Sequence, residues 1–270
     1  MTLTNKIDFA VVFRVRNANP NGDPLNGNRP RTTYDGAGEV SDVCLKRKIR
    51  NRLLDMGYEI FVQSDDSKVD ECKSLKERAD IIFNDKKIAN HKDAACRKWF
   101  DVRAFGQIFA FKGKSKGEGL SLPIRGPVSI HSAFSQCPVD ITSTQITKSV
   151  SGEGSGEKKG SDTMGMKHRV DSGIYVFYGS MSPQLATKTG FSNEDAQVIK
   201  NVLPQMFEND ASSARPDGSM EVLKVVWWEH NCPTGQMSSA KVHRSIEVDS
   251  EGNVQVKPIG DLQPELIDGF

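Results

Sequence analysis

The stretch Arg14–Arg31 constrains this chain more than any other. It reads Arg-Val-Arg-Asn-Ala-Asn-Pro-Asn-Gly-Asp-Pro-Leu-Asn-Gly-Asn-Arg-Pro-Arg. Before it, Ile7–Val15 is an apolar run with several β-branched residues, the composition of a buried strand. After it, Asn, Pro, Gly and Asp alternate so densely that neither helix nor ladder continues. Next comes a helix over Ser41–Met56, with Ser41 as N-cap, Gly57 as stop, and Leu45, Ile49, Leu53 and Met56 as its buried stripe. Lys46, Arg47 and Arg50 lie off that stripe. Strand, Gly/Asn loop and basic helix together suit a phosphate backbone. The loop is expected to offer free backbone N–H groups, and Arg29 and Arg31 charge-assisted donors. An ordinary surface loop shaped by turn chemistry has the same composition, so the stretch alone does not decide.

The chain has 270 residues and a net charge of +1. That is one large domain, or a core with substantial insertions, and global basicity does not announce nucleic acid. Charge is segregated locally instead, at Lys46–Arg52, at Lys112, Lys114 and Lys116, and at Lys158, Lys159, Lys167, His168 and Arg169. The five cysteines are scattered and form no CxxC pair, so reduced structural thiols are expected and neither a zinc ribbon nor a redox dithiol. No signal-like segment and no membrane-length apolar run occurs, and a soluble cytoplasmic protein is expected. No metal or cofactor is expected.

Further along, Tyr58–Val62 reads as a strand. The charged stretch 64–119 reads as an insertion with helices over Asp70–Phe83 and Lys92–Phe100 and few strand signals. Pro123–Phe134 resumes the core. Val139–Val150 and Met164–Val170 form the arms of a long hairpin, with a flexible Gly/Ser/Glu/Lys tip at Ser151–Asp162. Ile174–Tyr178 is a strand and Ser192–Phe207 a helix, with Ser192 and Asp195 at capping-box positions. Val222–Glu229 is a strand, and Val242–Val248 with Asn253–Val256 a hairpin. The order strand, helix, strand, insertion and hairpin, strand, helix, strand is the split β-α-β, ferredoxin-like order, which includes the RRM class. The fold class is therefore α+β, an RRM-like sheet backed by two helices with loops and insertions on the other side. Phe9 and Phe13 share a strand face, but the RNP1 pattern is missing, so base stacking on the sheet has little support. No nucleophile elbow, HExxH or dinucleotide fingerprint is present. Asp23 and Asp35 lie in the central loop and could serve as acids, but shaping turns is the commoner role for such residues.

Asn21-Gly22-Asp23-Pro24, Asn28, Arg31 and the block Val40–Asn51 resemble the backbone subunit of type I-C CRISPR Cascade, the Cas-seven family. Arg125–Val128, Gln145-Ile146-Thr147, Met164–His168, Gly190–Asp195 and Met206–Asp210 extend the resemblance over nearly the whole chain. It implies an RRM-like palm (1–63, 120–133, 172–270), helical fingers (64–119) and a thumb hairpin (134–171). It implies several copies stacked along one CRISPR RNA, with the guide left open to pair with target DNA. It also implies further Cascade partners: the RNA-handle-binding, large and small subunits. The RNA-contacting set is then Arg16, Asn19, Asn21, Gly22, Asn28, Arg31, Lys46, Arg47, Arg50, Arg103, Arg125, Gln145, Ile146, Thr147, Met166, Lys167 and His168. Ile146 and Met166 are expected to wedge between bases while Lys167 and His168 hold phosphate. Related type III subunits cut RNA with an aspartate in the loop after the first strand, near the position of Asp35. An RRM-like metal-dependent endoribonuclease is therefore the rival reading, and a general single-strand binder the next.

Overall fold

The computed structural model describes residues 1–111, 120–147 and 164–270. The lysine cluster 112–116, Lys158, Lys159 and the hairpin tip 151–162 lie outside them.

The elements in chain order are β1 (Ile7–Ala18), β2 (Gly22–Asp23), β3 (Arg29–Pro30), β4 (Ala37–Val40), α1 (Asp42–Asp55), α2 (Leu75–Phe83), α3 (His91–Lys98), α4 (Phe100–Phe105), β5 (Gly106–Phe111) and β6 (Leu120–Arg125). There follow β7 (Val128–Ile130), β8 (Ala133–Pro138), β9 (Ile141–Thr147), β10 (Met164–Met181), α5 (Pro183–Thr189), α6 (Asn193–Val202), β11 (Met220–Glu229), α7 (Ser239–His243), β12 (Ile246–Val248), β13 (Val254–Val256) and β14 (Glu265–Asp268). The main sheet runs β14-β11-β1-β10-β8-β4, with β7 and β9 also paired to β10. Its ladders are antiparallel.

β1 lies between β10 and β11 and is buried on both faces, which is why its sequence is nearly continuous apolar rather than alternating. Phe9, Val11, Phe13 and Val15 face one core, which Leu45, Ile49 and Leu53 of α1 and Ala196, Ile199 and Val202 of α6 complete. Ala10 and Val12 face a second core with Val226 and Trp228. Val242, Ile246, Ile259 and Leu262 close that second face. Phe9 stacks on Trp227 at 5.7 Å and Phe13 on Tyr175 at 5.3 Å. Both phenylalanines are fully buried, so neither offers a ring to a base.

A third core holds the inserted segment together: Phe61, Ala79, Ile82, Ala95, Cys96, Trp99, Val102, Phe109 and Ile124. Here the structure departs from the sequence reading. Tyr58–Val62 is not a strand. The Phe61 and Val62 N–H groups donate to the Asp101 carboxylate at 2.7 and 3.0 Å instead of to a neighbouring strand. The insertion also contains a hairpin: β5 pairs with β6 from Gly106↔Arg125 to Phe111↔Leu120. This hairpin crosses the expected 119/120 boundary.

Other elements are revised too: the helix expected over Asp70–Phe83 starts at Leu75, and that over Lys92–Phe100 ends at Lys98, with α4 starting anew at Phe100. Val242 and His243 belong to α7, started by Ser238, and only Ile246–Val248 pairs with Val254–Val256. Ile174–Tyr178 is the middle of β10, which runs unbroken from Met164 to Met181, so hairpin and sheet share one strand. The helix from Asn193 ends at Val202 and tightens into a 3-10 turn at Leu203–Gln205, where Pro204 removes a donor. Its capping box is present, with Ser192 N to Asp195 at 2.9 Å and Asp195 N to Ser192 Oγ at 3.1 Å.

Candidate nucleic-acid interface

The loop after β1 uses several of its own backbone donors. It folds back as the β2–β3 ladder, pairing Gly22 with Pro30 and Asp23 with Arg29. Asn28 N donates to Asp23 O at 2.8 Å, Arg31 N to Asn21 O at 3.1 Å and Thr33 N to Ala37 O at 2.8 Å. Buried or partly buried amides seek partners, and here the chain supplies them itself. Gly27 and Asn28 both take the left-handed conformation, at φ 58°, which Gly and Asn tolerate. Gly22 has no room for a Cβ because the Asn28 side chain and carbonyl press against it. Asn19 is buried, and its Nδ2 donates to Asn28 O at 2.7 Å. The side chains are what remain for a ligand. Arg16 is exposed. Arg31 is half-exposed, with Asp23 at 3.3 Å.

Asn21 ties this loop to α1: its Oδ1 accepts from Ser41 N and Ser41 Oγ, both at 2.9 Å. The basic helix therefore starts at the foot of the loop. Its cations have different surroundings. Lys46 pairs with Asp42 at 2.9 Å, one turn back. Arg47 is exposed and meets exposed Asp66 at 3.4 Å, an ion pair of the class that contributes about 0–1 kcal/mol. Arg50 is half-buried, with Nε 2.9 Å from the buried Asp101 and its guanidinium 5.2 Å from the centre of the Phe105 ring. Lys48 is buried against Asp210, which Arg215 also reaches at 3.1 Å, and burial lowers the Lys48 pKa despite the nearby carboxylate.

Arg103 of α4 is committed in the same way as Arg50. It forms a bidentate pair with Asp195 of α6, at 3.0 and 2.8 Å, and lies over the Phe100 ring. Arg125 is exposed at the end of β6. With Lys46, Val43, Phe105 and Ile108 it lines an open groove of about 880 Å³ between α1 and the β5–β6 hairpin.

On the projecting hairpin, Gln145 faces Met166, Ile146 faces Gly165, Thr147 faces Met164, Thr144 faces Lys167 and Ser143 faces His168. Side chains of directly opposed residues share a face, and successive residues alternate. Gln145, Thr147, Met166 and His168 thus lie on one face, and Ile146 and Lys167 on the other. Ile146 and Met166 therefore lie on opposite faces, as do Lys167 and His168. Ile146 is 49% exposed and Met166 55%, so each face still presents an apolar side chain to solvent.

The structure gathers the sequence-derived residues into two groups joined by α1. One is the loop and hairpin, with Arg16, Asn19, Asn21, Gly22, Asn28, Arg31, Gln145, Ile146, Thr147, Met166, Lys167 and His168. The other is α1 and the inserted segment, with Lys46, Arg47, Arg50 and Arg125. Arg103 stands apart in its pair with Asp195. The sequence reading missed Ser143, which Arg29 reaches across 114 positions at 3.1 Å. No local pattern signals such an approach. Among the described residues no group of His, Cys, Asp and Glu is arranged to hold a metal ion, and no helix is long and apolar enough to cross a membrane.

The family described as CRISPR-associated protein Cas7 matches residues 5–266. The chain belongs to this family. A CRISPR-associated protein Cas7 from Haloferax volcanii is 28% identical over 290 residues, covering 97% of this chain and 81% of the relative. Two solved chains overlap it more weakly. One is described as "CRISPR RNA-guided surveillance complex, pre-nicking", with TM-score 0.49, 16% identity, and 83% of this chain and 75% of that one covered. The other, "CRISPR RNA-guided surveillance complex", has TM-score 0.47 and 15% identity over 92% of this chain and 77% of that one. Membership of the Cas7 family rests on the sequence match from end to end, not on these overlaps.

Proposed function

We propose that this protein is the backbone subunit of a type I-C Cascade surveillance complex. In this reading several copies line one CRISPR RNA in the cytoplasm, holding its phosphates and leaving the guide free to pair with target DNA in antiviral defence. The family match over residues 5–266 carries the reading, and the geometry is compatible with it. The sheet order β11-β1-β10-β8, with α1 after β1 and α6 after β10, follows the split β-α-β plan and supports an RRM-like palm. The segment with its own core between α1 and β7 serves as fingers and the β9–β10 hairpin as thumb. Both sheet faces are covered, so the RNA runs over loop, α1 and thumb and is held chiefly through phosphate, which carries no sequence information. The partners are further copies of this chain and the RNA-handle-binding, large and small subunits. No catalytic residue is assigned: Asp23 is engaged with Arg31 and the Leu25 amide.

Lys46 and Arg47 give the sharper test of the helix. Arg47→Ala gives up only the exposed ion pair with Asp66, so the urea midpoint should move by less than about 1 kcal/mol in stability. RNA affinity should fall equally for unrelated sequences, and the salt slope should drop by about 0.7 for each phosphate no longer neutralised. The same holds for Lys46→Ala. Unchanged affinity and slope in the double variant would remove α1 from the interface. Arg50→Ala is a poorer probe, because it leaves Asp101 buried without its cation.

A further inference from the structure

Arg31 has a carboxylate partner in its own loop, but Arg29, two residues earlier, has none among the described residues. Its guanidinium crosses instead to the projecting hairpin, where Nη1 donates to Ser143 Oγ at 3.1 Å. Ser143 Oγ in turn lies 2.8 Å from His168 Nδ1, and Ser143 and His168 are register partners on one face of the hairpin. A guanidinium has only donors, so the serine oxygen accepts from Arg29, which leaves the hydroxyl proton free to be donated to Nδ1. In that arrangement Nδ1 accepts and the imidazole carries its proton on Nε2. His168 Nε2 has no protein partner among the described residues, and the side chain is half-exposed.

The approach of Arg29 is built into the loop. Asn28 reverses the chain at positive φ. Asn19 holds the Asn28 carbonyl at 2.7 Å, and Gly22 lets the two strands of the loop close on each other. These features deliver Arg29 to the hairpin.

We propose that Arg29 is a positioning residue for RNA binding: through Ser143 it fixes His168 as the Nε2–H tautomer and presents that N–H, beside Gln145 and Met166, as a directed donor to the RNA. This role rests on the RNA-binding reading above and adds to it a specific link between loop and thumb. Arg29 and Ser143 then act as one unit, so their effects on RNA binding are not additive.

The test uses the full chain labelled with 15N-histidine, with the His168 ring nitrogens read by NMR at a pH where the ring is neutral. Binding of a fluorescent single-stranded RNA is measured in parallel. In the unaltered protein His168 is expected as the Nε2–H tautomer. Arg29→Ala and Ser143→Ala are each expected to shift it toward a mixture and to weaken RNA binding roughly two- to tenfold, the change expected for one hydrogen bond. The double variant should be no weaker than the worse single one, and Ser143→Thr, which keeps the hydroxyl, should restore both readouts. An unchanged tautomer in Ser143→Ala, or losses that add in the double variant, would overturn the proposal. The NMR readout needs no RNA. A protein that fails to bind RNA but shows the tautomer change would contradict the RNA-binding reading and leave the relay standing.

Discussion

Asp101→Ala is expected to destabilise the protein by about 3–5 kcal/mol, the usual cost of removing one partner of a buried ion pair. Asp101 is 1% exposed. Its carboxylate takes Arg50 Nε at 2.9 Å, Phe61 N at 2.7 Å and Val62 N at 3.0 Å. Without it, two backbone donors and a half-buried guanidinium lose their acceptor together, at the seam between α1 and the inserted segment. Asp101→Asn keeps the shape and one acceptor oxygen and should lose less. Urea denaturation, with limited proteolysis of the 64–105 region, reads both variants. A shift below about 1 kcal/mol for Asp101→Ala would mean that α1 and the insertion are coupled by packing rather than by this carboxylate.

The second large effect lies on the opposite side of the sheet and depends on pH. Asp8 of β1 is fully buried. It meets His230 Nε2 at 2.9 Å, Lys6 Nζ at 3.3 Å and His243 Nε2 at 3.6 Å. Burial pushes the Asp8 carboxyl up, but the hydrogen bonds from His230 and Ser239 and the charges of Lys6 and His243 outweigh it, and its pKa lies below the usual carboxylate value. His243 is lowered, by burial first, against the opposing pull of Asp8 and the Gly179 carbonyl. Both groups therefore bind protons less readily folded than unfolded, and stability rises with pH. The contribution of His243 is complete above its unfolded value of about 6.5 and declines as pH falls through its lower folded value. That of Asp8 is complete above about 4 and is lost further down. Asp8→Ala should cost about 3–5 kcal/mol at pH 7. Removing the carboxylate also takes away an interaction that favours protonated His243, so the acid dependence of His243 should persist in the variant while that of Asp8 disappears. Urea midpoints of both proteins from pH 8 down to about pH 2 test this. A midpoint of the unaltered protein that rises on acidification would reverse the assigned sign.

The parts of the fold that were legible in the sequence are those set by local chemistry. Ser41 caps α1 through Cys44 N at 3.3 Å, and the buried face of α1 follows Leu45, Ile49 and Leu53, although Met56, expected on the same stripe, is the C-cap and is exposed. The apolar run of β1 marked a strand, and the Ser192–Asp195 box marked the start of α6. What was not legible depends on distant partners. Tyr58–Val62 has strand composition, yet a carboxylate 40 positions away from Phe61 takes its amide. The Asn/Gly/Pro loop suggested free amides, but it uses several of them itself, Asn28 N on Asp23 O and Arg31 N on Asn21 O. Arg50 and Arg103 looked like ligands for phosphate, and helical spacing gave no sign of Asp101 or Asp195. On the hairpin the residue types were readable, but which of them share a face depends on register, and that is visible only once the two arms are paired.

The central claim, that copies of this chain line a CRISPR RNA without cutting it, is tested most directly by native mass of the purified protein with a full-length, end-labelled CRISPR RNA and Mg²⁺. The account predicts complexes whose mass rises in whole protein copies with RNA length, and RNA recovered intact. A single copy bound regardless of RNA length, or RNA cut at regular positions in a way that Asp35→Ala abolishes, would contradict it.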